Sequence, residues 1–127
     1  MRKLIATLAV ALSAAGLSAA PSQAAPAGCS KWLLPTSTQI RQTNGYTITL
    51  AYSNGRWYVP GNAGAEVTWT SKRPSALQFI ITWPNGAGGV YTGSIDPYGF
   101  ISGTTVDRWK PSSRAYWKMS KVARCSY

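Results

Sequence analysis

The chain contains no histidine, and only three side chains carry a carboxylate: Glu66, Asp96 and Asp107. It has two cysteines, Cys29 and Cys125. These shortages exclude much chemistry. Without histidine there is no Ser–His–Asp triad, and a cysteine nucleophile has no imidazole base to activate it. Two cysteines alone make a poor metal site. Three scattered acids offer too few oxygen ligands for Ca2+. No cofactor and no metal are expected. A carboxylate pair is the minimum equipment for glycoside hydrolysis, but each acid has a plainer reading. Asp96-Pro97-Tyr98-Gly99 is a turn in which Asp caps its own backbone. Asp107 precedes Arg108, which makes a local ion pair the expectation. Glu66 falls on the polar side of an alternating segment. The chain reads as a non-catalytic protein.

A long apolar run is also missing beyond the first residues. Arg2 and Lys3 precede an apolar stretch over 4–17, and Ala-x-Ala-like sites follow at Ser22-Gln23-Ala24 and Ala25-Pro26-Ala27. The stretch is short for a membrane span and has the form of a cleaved secretory signal. Residues 1–27 are read as that signal and 28–127 as one domain, secreted or associated with the cell envelope. Lipidation at Gly28-Cys29 is the lower-ranked alternative, because Pro26 stands where Leu is usual and Cys125 would be left unpaired. In an oxidising compartment the two cysteines are expected to pair. A bridge closing nearly the whole domain is worth about 4–5 kcal/mol in the chain-entropy picture. Two free thiols or an intermolecular bridge are the other possibilities.

What is present in quantity is Trp (6), Tyr (7), Gly (12) and positive charge, with 13 basic residues against 3 acidic and a net charge of +10. Helical periodicity is absent after residue 27, and alternation with period two is frequent. Tyr46, Ile48, Leu50 and Tyr52 share one face. Ser53-Asn54-Gly55 turns the chain into Arg56-Trp57-Tyr58-Val59. Val67 and Trp69 oppose Glu66, Thr68 and Thr70. Leu77, Phe79, Ile81 and Trp83 share a face, Pro84-Asn85-Gly86 follows, and further strands are expected over 89–95, 100–107 and 114–125. With 30–34 at the start there are about eight. Asn-Gly at residues 44, 54 and 85 supplies hairpin turns. Gly89, Gly93 and Gly103 fit bends in a small curved wall. The expected fold is all-β, a small antiparallel up-and-down barrel closed by one disulfide, with a β-sandwich as the alternative.

Two features resemble the calycins, the lipocalin- and avidin-type barrels. Ser30-Lys31-Trp32 stands where these carry a first-strand Trp. Val122-Ala123-Arg124 stands where a late basic residue packs across it. Phe79-Ile80-Ile81-Thr82-Trp83 with Tyr91-Thr92-Gly93-Ser94-Ile95 resembles a central avidin-type hairpin. Trp83-Pro84-Asn85-Gly86, Tyr91 to Asp96 and Gly103-Thr104-Thr105-Val106-Asp107 are similar to small exported bacterial proteins of unassigned function. The resemblance implies a barrel that binds something. It does not carry biotin binding, because the polar residues that would hold a ureido group cannot be placed one by one and the closing strands of that family are lacking.

The binding candidates lie late in the chain. Arg108, Lys110, Arg114, Lys118, Lys121 and Arg124 fall in the last twenty residues. Arg114, Tyr116 and Lys118 share a parity, so one face of the last hairpin is expected to be basic. Trp109, between two cations and before Pro111, is hard to bury. With Tyr98 in another turn it is a candidate stacking platform, or else each ring covers an open barrel end. Trp57, Trp69 and Trp83 read as core. The expected binding set is Trp109, Tyr98, Arg108, Lys110, Arg114 and Lys118. The expected ligand is an anionic cell-envelope polymer or a small amphipathic molecule, which an open or a filled barrel interior would help decide. The alternative is an inhibitor of a secreted protease, presenting the loop at 61–64 or at 85–89. No physiological nucleic-acid partner is expected, and the protein is expected to be a monomer.

Overall fold

The computed structural model describes residues 29–126, so the signal segment lies outside the described part. Within it there are ten strands and no helix: β1 (Trp32–Leu33), β2 (Ser37–Gln42), β3 (Thr47–Ser53), β4 (Arg56–Tyr58), β5 (Glu66–Arg73), β6 (Ala76–Thr82), β7 (Gly88–Ile95), β8 (Ile101–Asp107), β9 (Arg114–Met119) and β10 (Arg124–Cys125). Eight form one antiparallel sheet in the order β4-β3-β2-β9-β8-β7-β6-β5. Each strand from β2 to β9 therefore neighbours its successor, except across the seam between β4 and β5. Hydrogen bonds between β2 and β9 join the first of these strands to the last. The result is a nearly closed up-and-down barrel rather than a sandwich.

The expected count of eight holds, but its membership differs. Residues 30–34 supply no barrel strand. β1 pairs instead with β10 in a separate two-stranded ribbon, Trp32 opposite Cys125 and Leu33 opposite Arg124. Cys29 and Cys125 are bridged beside it, their Cα atoms 5.8 Å apart. We refer to this ribbon and bridge as the clasp. The bridge is consistent with an extracellular location. The missing barrel strand is β2, whose sequence Ser-Thr-Gln-Ile-Arg-Gln has one large apolar residue. Alternation fails to mark it because Thr38, not a hydrocarbon, is the other buried side chain. The Thr38 hydroxyl is satisfied there, within 3.4 Å of Ser120 Oγ and accepting from the Lys121 amide. The extended stretch expected over 114–125 is broken between β9 and β10.

The interior is filled. Ile40, Leu50, Leu77, Phe79, Ile81, Ile101, Trp117 and Met119 form one buried cluster, with Trp57, Trp69 and Trp83 half-buried against it. Burying such side chains is the main stabilising term, about 1.5–3 kcal/mol each. An aromatic row crosses the barrel from β3 to β7. Centroid separations are 5.2 Å for Tyr52–Trp57, 5.6 Å for Trp57–Trp69, 4.6 Å for Trp69–Phe79 and 4.9 Å for Phe79–Tyr91. Trp57 and Trp69 meet across the β4–β5 seam, so side chains close the wall where backbone hydrogen bonds do not.

Two local sequences set the curvature. Asn54 and Gly55 both have positive φ, 54° and 77°. They form the two-residue turn that matches strand twist. Gly93 and Gly103 face each other across β7 and β8. A Cβ on Gly103 would overlap the Thr92 carbonyl, and one on Gly93 would meet the Trp117 ring. The bare backbone lets Trp117 lie against the wall and donate from Nε1 to the Thr104 carbonyl at 2.9 Å.

Candidate functional site

An up-and-down barrel sends alternate loops to opposite ends. The β2–β3, β4–β5, β6–β7 and β8–β9 loops gather at one end, here termed the mouth. The β3–β4, β5–β6 and β7–β8 turns lie at the other, with the clasp: Gly99 of the β7–β8 turn abuts the Ala123 carbonyl and the Trp32 ring. At the mouth the core stops short of the rim and leaves a hollow of about 300 Å3. This lies at the lower bound for small-molecule sites. Tyr46, Ile48, Trp83 and Tyr91 give it aromatic and apolar walls; Gln42, Asn44, Thr105, Asp107 and Arg114 give it polar ones.

Tyr91 forms the floor. It is only 4% exposed, and its hydroxyl donates to Gln42 Oε1 at 2.6 Å. Gln42 Nε2 in turn donates to Asn44 Oδ1 at 3.1 Å, and Asn44 Oδ1 also accepts from the Tyr46 amide. The chain from Tyr91 through Gln42 to Asn44 fixes which way the Gln42 amide faces. Burial pushes the Tyr91 pKa up to about 12, against a smaller opposing effect of the Thr105 hydroxyl. The phenol is therefore a neutral donor throughout the physiological range.

The rim carries the cations. Asp107 ends β8 on the inward side, opposite Gly89. Its Oδ1 accepts from the amides of Trp109 at 2.8 Å and Lys110 at 2.9 Å. The expected ion pair with Arg108 is not formed. A carboxylate one residue before a turn is better satisfied by the turn's own amides. Arg108 instead donates from Nη1 to Thr82 Oγ1 at 2.9 Å, and its amide donates to the Gly88 carbonyl. Ser113 closes the loop onto the Asp107 amide and the Lys110 carbonyl. On this fixed backbone the Trp109 side chain stands 67% exposed, with one ring edge over Gly86 of the β6–β7 loop.

The structure thus brings four of the six expected binding residues to the mouth: Arg108, Trp109, Lys110 and Arg114. It separates the other two. Tyr98 sits in the β7–β8 turn at the clasp end, where Asp96 Oδ1 accepts from the Tyr98 and Phe100 amides at 2.9 Å each. The seven residues of β8 stand between it and Trp109, about 20 Å at ~3.4 Å per residue. A shared Tyr98–Trp109 platform is therefore ruled out by geometry. Lys118 points outward from β9 on the barrel wall, beside Tyr116. The loops at 61–64 and 85–89 are neighbours at the mouth, since a Cβ on Gly64 would press on Pro84. Both are tight: the Ala65 amide donates to the Asn62 carbonyl, and the Ala87 amide to Asn85 Oδ1. Asp96 and Asp107 lie at opposite ends of β8. Among the described residues no three His, Cys, Asp or Glu side chains lie close enough to hold a metal.

Sequence reasoning missed Gln42, Tyr46 and Tyr91 as site residues. Gln42 was hidden because its strand was, and Tyr91 read as part of a resemblance rather than as a buried donor. No family model, curated protein or solved structure matches the chain.

Proposed function

We propose that this chain is an exported, monomeric, non-catalytic binding protein of calycin-like type that holds an acidic unit of an anionic cell-envelope polymer at the barrel mouth. The observation that carries the reading is the hollow with its floor of Tyr91 and Gln42, set beneath a rim of Arg114, Arg108, Lys110 and the exposed Trp109. An aromatic wall suits the flat face of a sugar ring, and cations on the rim suit its charge. A fully enclosed amphipathic ligand is less well supported, because the interior below Tyr91 is filled. The calycin-like assignment is supported by the barrel and by Arg124 lying one register position from Trp32. Protease inhibition is less well supported too. Its two candidate loops are hydrogen-bonded turns, not an extended segment that could lie along a protease cleft.

Binding of a polyuronate and of a neutral glucan of equal length, measured across a salt series, tests this reading. Affinity for the polyuronate should fall steeply with salt. The variant Arg108→Gln/Lys110→Gln/Arg114→Gln should flatten that dependence, and neutral glucan should bind weakly to both. Equal, salt-independent binding of the two polymers would rule the reading out.

A further inference from the structure

We infer that the outer wall over β2, β8 and β9 is a second anion site, which guides an extended polyanion away from the mouth. This rests on the mouth reading and specifies that the ligand is a chain, not an isolated small acid. Arg41 on β2 and Lys118 on β9 are directly opposite in register. Directly opposed like charges are destabilising in an antiparallel pair. The pair borders a groove of about 550 Å3 whose other walls are Gln42, Thr43, Ser102, Gly103, Thr104, Tyr116 and Trp117. Among the described residues no carboxylate lines the groove beside this pair. The Arg41 guanidinium is held by the neutral Gln39 Oε1 at 3.1 Å. Lys118 stands opposite Ser102 on its other side.

The groove has the other parts that recognition of an acidic chain requires. Tyr116 is 68% exposed between Arg114 and Lys118 on the outward face of β9, giving one flat ring between two cations. Its backbone is fixed on the side of β2, the Tyr116 amide donating to Thr43 Oγ1 at 3.0 Å and its carbonyl accepting from the Thr43 amide at 2.9 Å. Ser102 and Thr104 add hydroxyls. The groove adjoins the mouth across the end of β2. Gln42 lines both hollows, and Arg114 lines the mouth while opening the row that Tyr116 and Lys118 continue. From Arg114 to Lys118 the row runs about 14 Å at ~3.4 Å per residue. That is longer than one sugar or one phosphate. The occupant is therefore an extended chain bearing repeated phosphate or carboxylate groups, one unit seated in the mouth and the next ones laid over Tyr116.

The test uses Arg41→Gln/Lys118→Gln, the mouth variant Arg108→Gln/Lys110→Gln/Arg114→Gln and the unaltered protein. The probes are a uronate dimer, long polyuronate and poly(glycerol phosphate). Losing two contacts should lower affinity of the wall variant for the long chains roughly tenfold at moderate salt and reduce the salt slope by about two charges' worth. Its affinity for the dimer should be unchanged. Its melting temperature without ligand should equal or exceed that of the unaltered protein, because a repulsion has been removed. Comparing the two long chains distinguishes a phosphate from a carboxylate source. Unchanged long-chain affinity and salt slope in a folded wall variant would overturn the second site while leaving the mouth reading intact. Long-chain binding that depends on Arg41 and Lys118 but not on the mouth cations would instead overturn the mouth reading.

Discussion

The two ends of the barrel are built on the same hairpins yet solved differently. At the clasp end a covalent bridge, a short ribbon and the Gly99–Ala123 contact cover the core. At the mouth the described residues leave it uncovered, and the opening is floored by a buried phenol and rimmed by cations. Each end of β8 has an aspartate that caps the turn beside it, Asp96 with the amides of Tyr98 and Phe100, Asp107 with those of Trp109 and Lys110. The same local device thus supports a closed end and an open one. If the mouth binds as proposed, stability and recognition should be alterable separately, and the following measurements probe that separation.

The largest effect is expected at the clasp. Cys29→Ser/Cys125→Ser should lower unfolding free energy by about 4–5 kcal/mol, read from urea denaturation. Polymer affinity at a temperature where the variant stays folded should be unchanged. A loss of affinity under those conditions would show that the two ends are coupled.

The next effect belongs to the mouth floor. Tyr91 in the fold has its pKa raised from 10.0 to about 12, so the folded state holds this proton more tightly than the unfolded chain. The contribution is complete below pH 10 and is lost as the pH rises from 10 to 12. It amounts to roughly 2–3 kcal/mol at about 1.36 kcal/mol per pKa unit. Melting temperatures of the unaltered protein and of Tyr91→Phe across that window should converge as the phenol ionises. A parallel pair of curves would show that another group governs alkaline stability.

Legibility divided along the same line. The strands that carry Leu77, Phe79, Ile81, Val67 and Trp69 could be read because hydrocarbons alternate there with polar residues. So could the pairing of the cysteines and the cap at Asp96. β2 could not, because a barrel tolerates a satisfied Thr38 and Gln42 on its inner side where alternation demands hydrocarbon. The mouth floor was out of reach for a second reason. It depends on Tyr91 meeting Gln42 across 49 residues of chain, and no local pattern encodes that meeting. Sequence did mark Trp109 as exposed, which it is, since a ring between two cations in a turn has nowhere to be buried. It joined Trp109 to Tyr98 wrongly, since composition says nothing of which end a turn faces.

The two aspartate caps allow a matched comparison. Asp96→Ala and Asp107→Ala should each cost about 0.5–2 kcal/mol, the range for losing the comparable side-chain cap at a helix N-terminus. Asp107→Ala alone should also weaken polymer binding, because it frees the backbone under Trp109 and Lys110. Asn at either position keeps an acceptor and should recover most of the stability. Equal binding by the two alanine variants would detach the β8–β9 loop from recognition.

The smallest effect on stability is expected at the rim. Trp109→Ala should leave the unfolding free energy within about 0.5 kcal/mol while reducing polymer affinity several-fold. If it destabilises as strongly as a core substitution, about 3–5 kcal/mol, the ring is a cover for the mouth and not a contact for the ligand.

The bridged cysteines are 96 residues apart in the chain. A polypeptide that emerges N-terminus first shows its first thiol long before its second, and it completes β9 only shortly before Cys125. The β2–β9 closure must wait for β9 to emerge, and the clasp for Cys125. An oxidant meeting the protein early finds a lone thiol with no legitimate partner within the molecule. Bridge formation therefore marks arrival of Cys125, and a product cut short before that residue remains recognisable to any thiol-directed quality control by its unpaired Cys29.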